Sequence, residues 1–170
     1  MCLHQGALTR RRFGFLTASA AATAILPVSA RAAGHADALV VTCIDYRLVD
    51  DTTRFFDGLH MTHTYDQVSL AGAALAGVSP MFPSSNAAFW DQLALAKKLH
   101  DVKALFVLDH RDCGAYKAAF GTKFASERKA ESEQHRSVML QVKARLAKTF
   151  PDLGFRGYLM ALDGTAEKLI

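Results

Sequence analysis

Two short stretches of the sequence bring together thiols, an imidazole and charged side chains that suit metal chemistry. Residues 42–47 have the sequence TCIDYR, and residues 109–114, which begin 67 positions later, have the sequence DHRDCG. Cys43, His110 and Cys113 are residue types that bind zinc, and three protein ligands leave the fourth tetrahedral position open to water or substrate. The two stretches therefore predict a zinc site with one exchangeable position.

Asp45 and Arg47 stand beside the first candidate ligand and suggest what such a zinc ion would do. Asp45 could accept a hydrogen bond from a zinc-bound hydroxide, or it could take the fourth coordination position itself. Arg47 could hold that carboxylate in a bidentate pair and so keep it ionised and oriented. This arrangement suits attack of a zinc-bound hydroxide on a small electrophile. A solvent-facing ion pair at the start of a helix is the alternative interpretation.

Largely apolar runs before the two motifs predict the strands that would position them. Residues 39–42 and 102–108 are short and partly β-branched, which is typical of buried strands. Apolar spacing and turn residues predict two further strands, at 62–70 and 157–162. Capping residues and helical spacing predict four helices, at 47–58, 84–100, 114–120 and 126–150.

The alternation of strands and helices predicts a three-layer α/β domain with a small central, mainly parallel β-sheet flanked by helices. The simplest doubly wound order places the second strand outside the first and the third strand on the other side of the first. The carboxyl ends of the first and third strands then flank the switch point at which ligands bind. Cys43 would end the first strand, and His110 and Cys113 would follow the third, so we expect the three side chains to cluster.

The N-terminal residues have the features of a twin-arginine export signal. Three arginines at 10–12 precede an alanine-rich apolar run at 17–26, and residues 29–32 (SARA) supply a small-x-small cleavage pattern. We therefore predict a signal peptide over 1–32, export through the twin-arginine pathway to the periplasm, and one zinc domain over 33–170. An uncleaved amphipathic N-terminal helix is the alternative.

The formal net charge of +4 originates in the first 32 residues, which contain four arginines and no acidic residue. The remaining 16 lysines and arginines are balanced by 16 aspartates and glutamates. This neutral remainder gives no indication of a nucleic-acid partner, or of a membrane partner after signal cleavage.

Cys43 and Cys113 are the two cysteines outside the predicted signal, so they could instead form a structural disulfide in an oxidising periplasm. The neighbouring His110, Asp45 and Arg47 favour a metal site, because a structural disulfide needs none of them.

For the other polar residues and for the small residues at 71–77 we predict structural roles and no part in the chemistry. We expect Asp109 and Asp112 to be surface or capping residues rather than partners that orient His110. The small residues at 71–77 predict a flexible loop. Five scattered histidines are expected to be solvated: His35, His60, His63, His100 and His135.

The pattern C-x-D-x-R from residue 43, followed by H-x-x-C-G from residue 110, resembles the two signature motifs of the β-class carbonic anhydrases. The resemblance extends over about residues 38–170, and the two motifs are its specific part. It implies zinc ligation by Cys43, His110 and Cys113. It also implies an Asp45–Arg47 dyad, and in some members the aspartate binds zinc in a resting form.

The same resemblance implies an α/β domain assembled into homodimers or larger homo-oligomers. The implied reaction is reversible hydration of carbon dioxide to bicarbonate by a zinc-bound hydroxide. The sequence departs from the β-class pattern at several positions. Asp109 stands where the family commonly has glycine, and Tyr46 where a small hydroxyl residue is usual. Leu70 and Ala73 stand where polar residues are expected.

Two other functions stay open on the sequence. One is hydrolysis of carbonyl sulfide or carbon disulfide by a related zinc enzyme. The other is a non-catalytic periplasmic protein of the same fold, stabilised by zinc or by a disulfide.

Overall fold

A five-stranded sheet forms the centre of the computed structural model, which describes residues 34–122 and 127–170. Its strands are β1 (Ala38–Thr42), β2 (Tyr65–Ser69), β3 (Ala104–His110), β4 (Gly154–Met160) and β5 (Ala166–Lys168). The strand order is β2-β1-β3-β4-β5. The first four strands are parallel, and β5 is antiparallel to β4. The structure confirms the predicted mainly parallel sheet and the order of its first three strands.

Helices cover both faces of this sheet, as predicted for a three-layer α/β domain. The α-helices are α1 (Val49–Gly58), α2 (Pro83–His100), α3 (Gly114–Phe120) and α4 (Arg128–Thr149). Two 3₁₀ helices, Tyr46–Leu48 and Ala73–Gly77, follow the ends of β1 and β2. Residues of α2, α3, α4 and the second 3₁₀ helix pack on one face, and residues of α1 pack on the other.

The β1 strand shows why this sheet needs cover on both faces. All five of its residues are buried, as expected for a central parallel strand. Leu39 and Val41 point into the larger core, where they meet Phe89 and Leu93 of α2. Burying each such side chain contributes roughly 1.5–3 kcal/mol relative to leaving it exposed.

The alternate residues of β1 build a smaller core on the opposite face. Val40 lies there with Phe56 of α1 and Phe106 of β3. The rings of Phe56 and Phe106 meet edge to face, with centroids 6.1 Å apart. This core fixes α1, and therefore the segment between β1 and α1, against the sheet.

The register between β1 and β3 brings the two sequence motifs to one edge of the sheet. Thr42 of β1 pairs with Leu108 of β3. Cys43, the next residue after β1, therefore lies beside the last two residues of β3, Asp109 and His110. His110 is the last residue of β3 rather than a residue that follows the strand.

Residues 71–77 differ from the flexible loop that the sequence predicts. Five of them form the 3₁₀ helix Ala73–Gly77, and all five are buried. Their small side chains allow the backbone to pack closely against α2 and the sheet, and Gly72 enters the helix with φ of +76°. A side chain at Gly72 would lie 3.1 Å from Ala115, so glycine is needed for space as well.

Two details of α2 also differ from the sequence prediction. The helix begins at Pro83, one residue before the predicted start at 84, because the fixed φ of proline suits the first helical position. Helical spacing predicts a buried stripe of Phe89, Leu93, Ala96 and Leu99. The first three are buried, but Leu99 is 56% exposed because it lies near the edge of the sheet beyond β2.

The predicted signal peptide at 1–32 lies outside the described residues. In the part of the chain that the structure describes, no helix combines the length and the apolar composition needed to cross a membrane.

Candidate metal centre

Three potential metal donors meet at the carboxyl ends of β1 and β3. Cys43 follows β1 directly, His110 ends β3, and Cys113 precedes α3. One ligand atom from each of these residues lies within 4.8 Å of the other two. Cys113 and His110 are buried, and Cys43 is half-buried. The predicted cluster of the two motifs is therefore present in the structure.

The sulfur spacing fits a metal and not a disulfide. The Sγ atoms of Cys43 and Cys113 are 3.9 Å apart, whereas a disulfide bond is about 2.05 Å long. Two thiolates at about 2.3 Å from a tetrahedral zinc ion would be separated by about 3.8 Å. Both cysteines are free, so the structure does not support the disulfide alternative.

The orientation of His110 also fits a metal ligand. Its Nδ1 lies 2.8 Å from the carbonyl oxygen of Arg111, so Nδ1 carries the proton and donates it to that oxygen. This bond leaves a lone pair on Nε2, and Nε2 is a buried atom without a hydrogen-bond partner. An unpaired buried nitrogen is costly, and a metal ion at the donor cluster would satisfy it.

The electrostatics of the thiols indicate a pair that shares one proton. The pKa of Cys43 is lowered to about 4, chiefly by a hydrogen bond from Cys113 and also by His110 and the backbone N–H of Gly72, which together outweigh the effect of burial. The Gly72 nitrogen lies 3.2 Å from Cys43 Sγ. The pKa of Cys113 is raised, because its proton is held by Cys43 and because the thiol is buried. A bound cation would displace this proton and stabilise both thiolates.

The imidazole is affected by the same thiolate. Burial lowers the pKa of His110, but the influence of the nearby Cys43 thiolate outweighs burial and raises the pKa overall.

Asp45 and Arg47 form the predicted bidentate pair beside the donors. Arg47 Nε donates to Asp45 Oδ1 at 2.9 Å, and Arg47 Nη2 donates to Asp45 Oδ2 at 2.6 Å. The backbone N–H of Arg47 also donates to Oδ1, at 3.0 Å. These bonds lower the pKa of Asp45 to about 2. Asp45 Oδ2 lies 3.6 Å from His110 Nε2, so the carboxylate faces the donor cluster without being one of its three members.

A small cavity of about 10 Å³ adjoins the donors. This volume is enough for about one water-sized molecule. Its lining includes the apolar side chains of Leu48, Leu108 and Met160 as well as Cys43 and Asp45. The cavity therefore has both polar and apolar lining and little free space.

A buried ion pair, which the sequence did not predict, supports the segment between His110 and Cys113. Arg111 Nη1 donates to Glu131 Oε2 at 2.8 Å, and both side chains are more than nine-tenths buried. Glu131 Oε1 accepts the backbone N–H of Asp112 at 2.7 Å. Glu131 of α4 thus holds the segment that carries two of the three donors.

Two predictions were wrong: Asp109 was expected at the surface or as a cap, and His135 was expected to be solvated. Neither side chain is solvated in the structure. Asp109 is 1% exposed and His135 is fully buried. Asp109 Oδ2 accepts the hydroxyl of Tyr116 at 2.6 Å and lies 2.8 Å from His135 Nδ1. Its other oxygen accepts the backbone N–H of Ala74 at 2.9 Å. Asp109 therefore joins β3 to α3, α4 and the second 3₁₀ helix, on the opposite side of β3 from His110.

Helical spacing is the signal that could have found both buried residues of α4. Val138, Val142 and Leu146 form its apolar seam, and His135 and Glu131 continue that seam towards the N-terminus at intervals of three and four residues. His100, also expected to be solvated, lies 2.7 Å from Asp66. Asp112 keeps a partly exposed side chain, as expected, but it contacts Arg47.

Comparisons with known proteins agree with this architecture. The family described as "Putative carbonic anhydrase" matches residues 33–149. An uncharacterized protein of Rickettsia bellii is 33% identical over 135 residues, which cover 79% of this chain and 82% of that protein. An uncharacterized protein of Rickettsia conorii is 31% identical over 135 residues, covering 79% of this chain and 73% of the relative.

A solved structure shows the same fold at low identity. The β-carbonic anhydrase CafA of Aspergillus fumigatus superposes with a TM-score of 0.50 and is 16% identical. The superposition covers 79% of this chain and 76% of the fungal chain. The fold is therefore that of the β-carbonic anhydrases, and the family match over residues 33–149 shows that the chain belongs to the carbonic anhydrase family named above.

Proposed function

We propose that the protein is a zinc-dependent carbonic anhydrase that hydrates carbon dioxide reversibly to bicarbonate. The observation that carries this proposal is the cluster of Cys43, His110 and Cys113 beside a carboxylate held by Arg47. Membership of a carbonic anhydrase family supports the same class of reaction. Zinc, when bound to these donors, would supply a Lewis acid that lowers the pKa of water towards neutrality.

Each side chain of the site has a separate role in this proposal. Cys43, His110 and Cys113 hold the zinc ion. Asp45 accepts a hydrogen bond from the attacking water and so directs its lone pair towards the substrate, and Arg47 fixes the carboxylate in that position. Carbon dioxide and water yield bicarbonate and one proton. Because the pKa of Asp45 is about 2, its carboxylate stays ionised near neutral pH and that proton leaves to solvent.

The apolar lining beside the donors supports a small uncharged substrate. Leu48, Leu108 and Met160 would provide apolar contacts for such a molecule next to Asp45. Carbon dioxide, carbonyl sulfide and carbon disulfide are all small, linear and uncharged, so this apolar lining does not distinguish them. The assay of the proposed activity should therefore include all three substrates.

Stopped-flow measurement of carbon dioxide hydration tests this proposal when zinc is quantified on the same sample. We expect one zinc per chain and hydration that Asp45→Asn slows by about 100-fold, because the attacking water loses its acceptor. Asp50→Asn, a change at the exposed start of α1, is the matched control and should keep the wild-type rate. Zinc-loaded protein that hydrates none of the three substrates would contradict the proposal and favour a non-catalytic role.

We also propose a second copy of the chain as a partner at the mouth of the site. Ile44, Tyr46 and Val49 are 65%, 86% and 63% exposed and lie next to the donor Cys43. Exposed apolar side chains of this kind are typical of an interface. Sedimentation analysis should show that the wild-type protein is a homodimer or larger homo-oligomer. The Tyr46→Lys variant should contain a larger fraction of monomer. A wild-type protein that is monomeric at all concentrations would contradict this assembly.

For localisation we propose export to the periplasm through the twin-arginine pathway, which rests on residues 1–32 alone. Cell fractionation should recover a shortened chain from the periplasm. Lysine in place of Arg10, Arg11 and Arg12 together should retain the chain in the cytoplasm. Equal fractionation of both forms would contradict this route.

A further inference from the structure

Arg47 lies between two carboxylates, one from each metal-binding motif. Its Nε and Nη2 donate to Asp45, and its remaining nitrogen, Nη1, donates to Asp112 Oδ2 at 3.1 Å. The second oxygen of Asp112 is paired with Lys117 of α3. Four side chains therefore form a row of alternating charge, Asp45–Arg47–Asp112–Lys117, that connects the segment after β1 to the segment after β3.

The backbone of Asp112 is fixed although its side chain is partly exposed. Asp112 adopts φ of +60°, which is unusual for a residue other than glycine. Its N–H donates to Glu131 Oε1 at 2.7 Å, and Glu131 is anchored in turn by the buried Arg111. The Asp112 carboxylate therefore has a defined position between Cys113 and Arg47.

We propose that Asp112 is a positioning residue that holds Arg47 in place and thereby keeps the Asp45 carboxylate out of the metal-binding cluster. The proposal rests on the zinc site of the proposed function. Without Asp112, the Asp45–Arg47 pair keeps its mutual hydrogen bonds but loses the contact that ties it to the second motif. Asp45 Oδ2 is only 3.6 Å from His110 Nε2, so a small rotation brings it into competition for the open metal position.

The magnitude of this effect follows from the exposure of the pair. The Arg47 and Asp112 side chains are 35% and 45% exposed, so solvent screens their attraction. Exposed ion pairs of this kind change an equilibrium by about two- to fivefold. The change in Asp45 position should therefore be measurable without loss of the fold.

Asp112→Asn is a clean variant for the test. Asparagine tolerates positive φ and keeps the backbone N–H that Glu131 accepts, so the segment retains its shape. Asp152→Asn is the matched control, because Asp152 also pairs with a lysine, Lys97, on an exposed surface outside the donor cluster. Both variants should unfold thermally at the wild-type temperature.

The first measurement needs no metal. In metal-free protein, NMR hydrogen exchange of the Arg47 Nε–H should become about two- to fivefold faster in Asp112→Asn and stay unchanged in Asp152→Asn. An unchanged rate in Asp112→Asn would overturn the proposal, since Arg47 would then be held without Asp112.

The second measurement reports on the open metal position. In cobalt-substituted protein, titration with thiocyanate and detection by visible absorption give the affinity of an external anion for that position. We expect Asp112→Asn to weaken thiocyanate binding about two- to fivefold, because Asp45 competes more often. In an Asp45→Asn background the same change should have no effect, which a double-mutant cycle detects.

The outcomes separate this inference from the proposed function. An equal effect of Asp112→Asn with and without Asp45 would overturn the inference, because the change would then act on the metal directly. Failure of the protein to bind cobalt would contradict both the metal centre and this inference. Cobalt-bound protein that shows the expected shifts but hydrates no carbon dioxide would support the inference and contradict the proposed activity.

Discussion

At the scale of single residues, Cys43 and Cys113 form the least ordinary contact of the molecule. Their sulfur atoms lie 3.9 Å apart with one proton between them, beside a buried His110 nitrogen that has no hydrogen-bond partner. A core would not place these groups together without a ligand, because each is more stable apart in water or fully paired. A metal ion accounts for all three at once.

Removal of the metal should expose the two thiols to oxidation. In a Cys2→Ser background, we expect zinc-free protein to lose both free thiols to peroxide by forming a Cys43–Cys113 disulfide, with peroxide reduced to water. The sulfur atoms need to approach by only about 2 Å to bond. Thiol titration and intact mass should detect the disulfide in zinc-free protein and much less of it in zinc-loaded protein. Equal oxidation of both forms would contradict ligation by the thiols.

The residues of the site differ in how far the sequence alone could predict them. Cys43, His110 and Cys113 could be predicted to cluster, because each is adjacent to the end of a clearly apolar strand. The burial of His135 continues the helical spacing of the α4 seam, but its contact with Asp109 could not be predicted. Their contact joins β3 to α4 and spans 26 positions, a pairing that no local pattern encodes.

At the scale of elements, Asp109 holds three segments against β3 through Ala74, Tyr116 and His135. Asp109→Ala should lower the free energy of unfolding by about 2–4 kcal/mol, because it leaves buried polar groups without partners. Tyr116→Phe removes one of these bonds and should cost about 1 kcal/mol. Denaturant unfolding measures both changes.

Asp109→Asn is the control for the charge of this residue. Its amide keeps an acceptor for Ala74 and a donor for His135, so it should be less destabilising than Asp109→Ala. Equal stability of wild type and Asp109→Ala would show that the contacts contribute little to the packing of these elements.

Glu131 links α4 to the segment that carries His110 and Cys113. Glu131→Gln should weaken zinc binding about 10- to 100-fold, because the amide cannot accept from Asp112 and Arg111 at the same time. Glu133→Gln, on the exposed face of the same helix, should leave the affinity unchanged. Competition with a chelator measures both. Equal affinities for the two variants would contradict a role of Glu131 in holding this segment.

Element boundaries show where sequence patterns are insufficient. The α3 helix could be predicted with its observed bounds, because Gly121 ends it. The β4 strand begins at Gly154, earlier than the predicted 157, because pairing with β3 extends it beyond its apolar residues. The antiparallel β5 was not predicted, since its three residues have no apolar pattern and depend on the turn at 163–165 and on β4.

At the scale of the whole molecule, acid should destabilise the fold. Three exposed carboxylates have lowered pKa values: Asp101 through Lys103, Asp152 through Lys97, and Asp163 through Thr165. A folded-state pKa below the unfolded value of about 3.9 stabilises the fold above about pH 4, and this contribution is lost as the pH falls further. The urea midpoint should therefore decrease between about pH 5 and about pH 3. A midpoint that rises over this interval would contradict these assignments.

The sheet order explains why the clustering of the three candidate ligands could be predicted from the sequence. A central β1 flanked by β2 and β3 is the simplest doubly wound order, and it brings the ends of β1 and β3 together without further information. The family membership of residues 33–149 agrees with this architecture. The proposed assembly rests instead on exposed side chains such as Tyr46, for which sequence periodicity gives no signal.

X-ray absorption at the zinc edge of the purified protein tests the central claim most directly, since it counts the ligands by element and distance. We predict one zinc per chain with two sulfur atoms at about 2.3 Å and two nitrogen or oxygen atoms at about 2.0–2.1 Å. Cys43→Ser should remove one of the sulfur atoms from this shell. A zinc-free protein, or a zinc shell without sulfur, would contradict the assignment of Cys43, His110 and Cys113 as the metal centre.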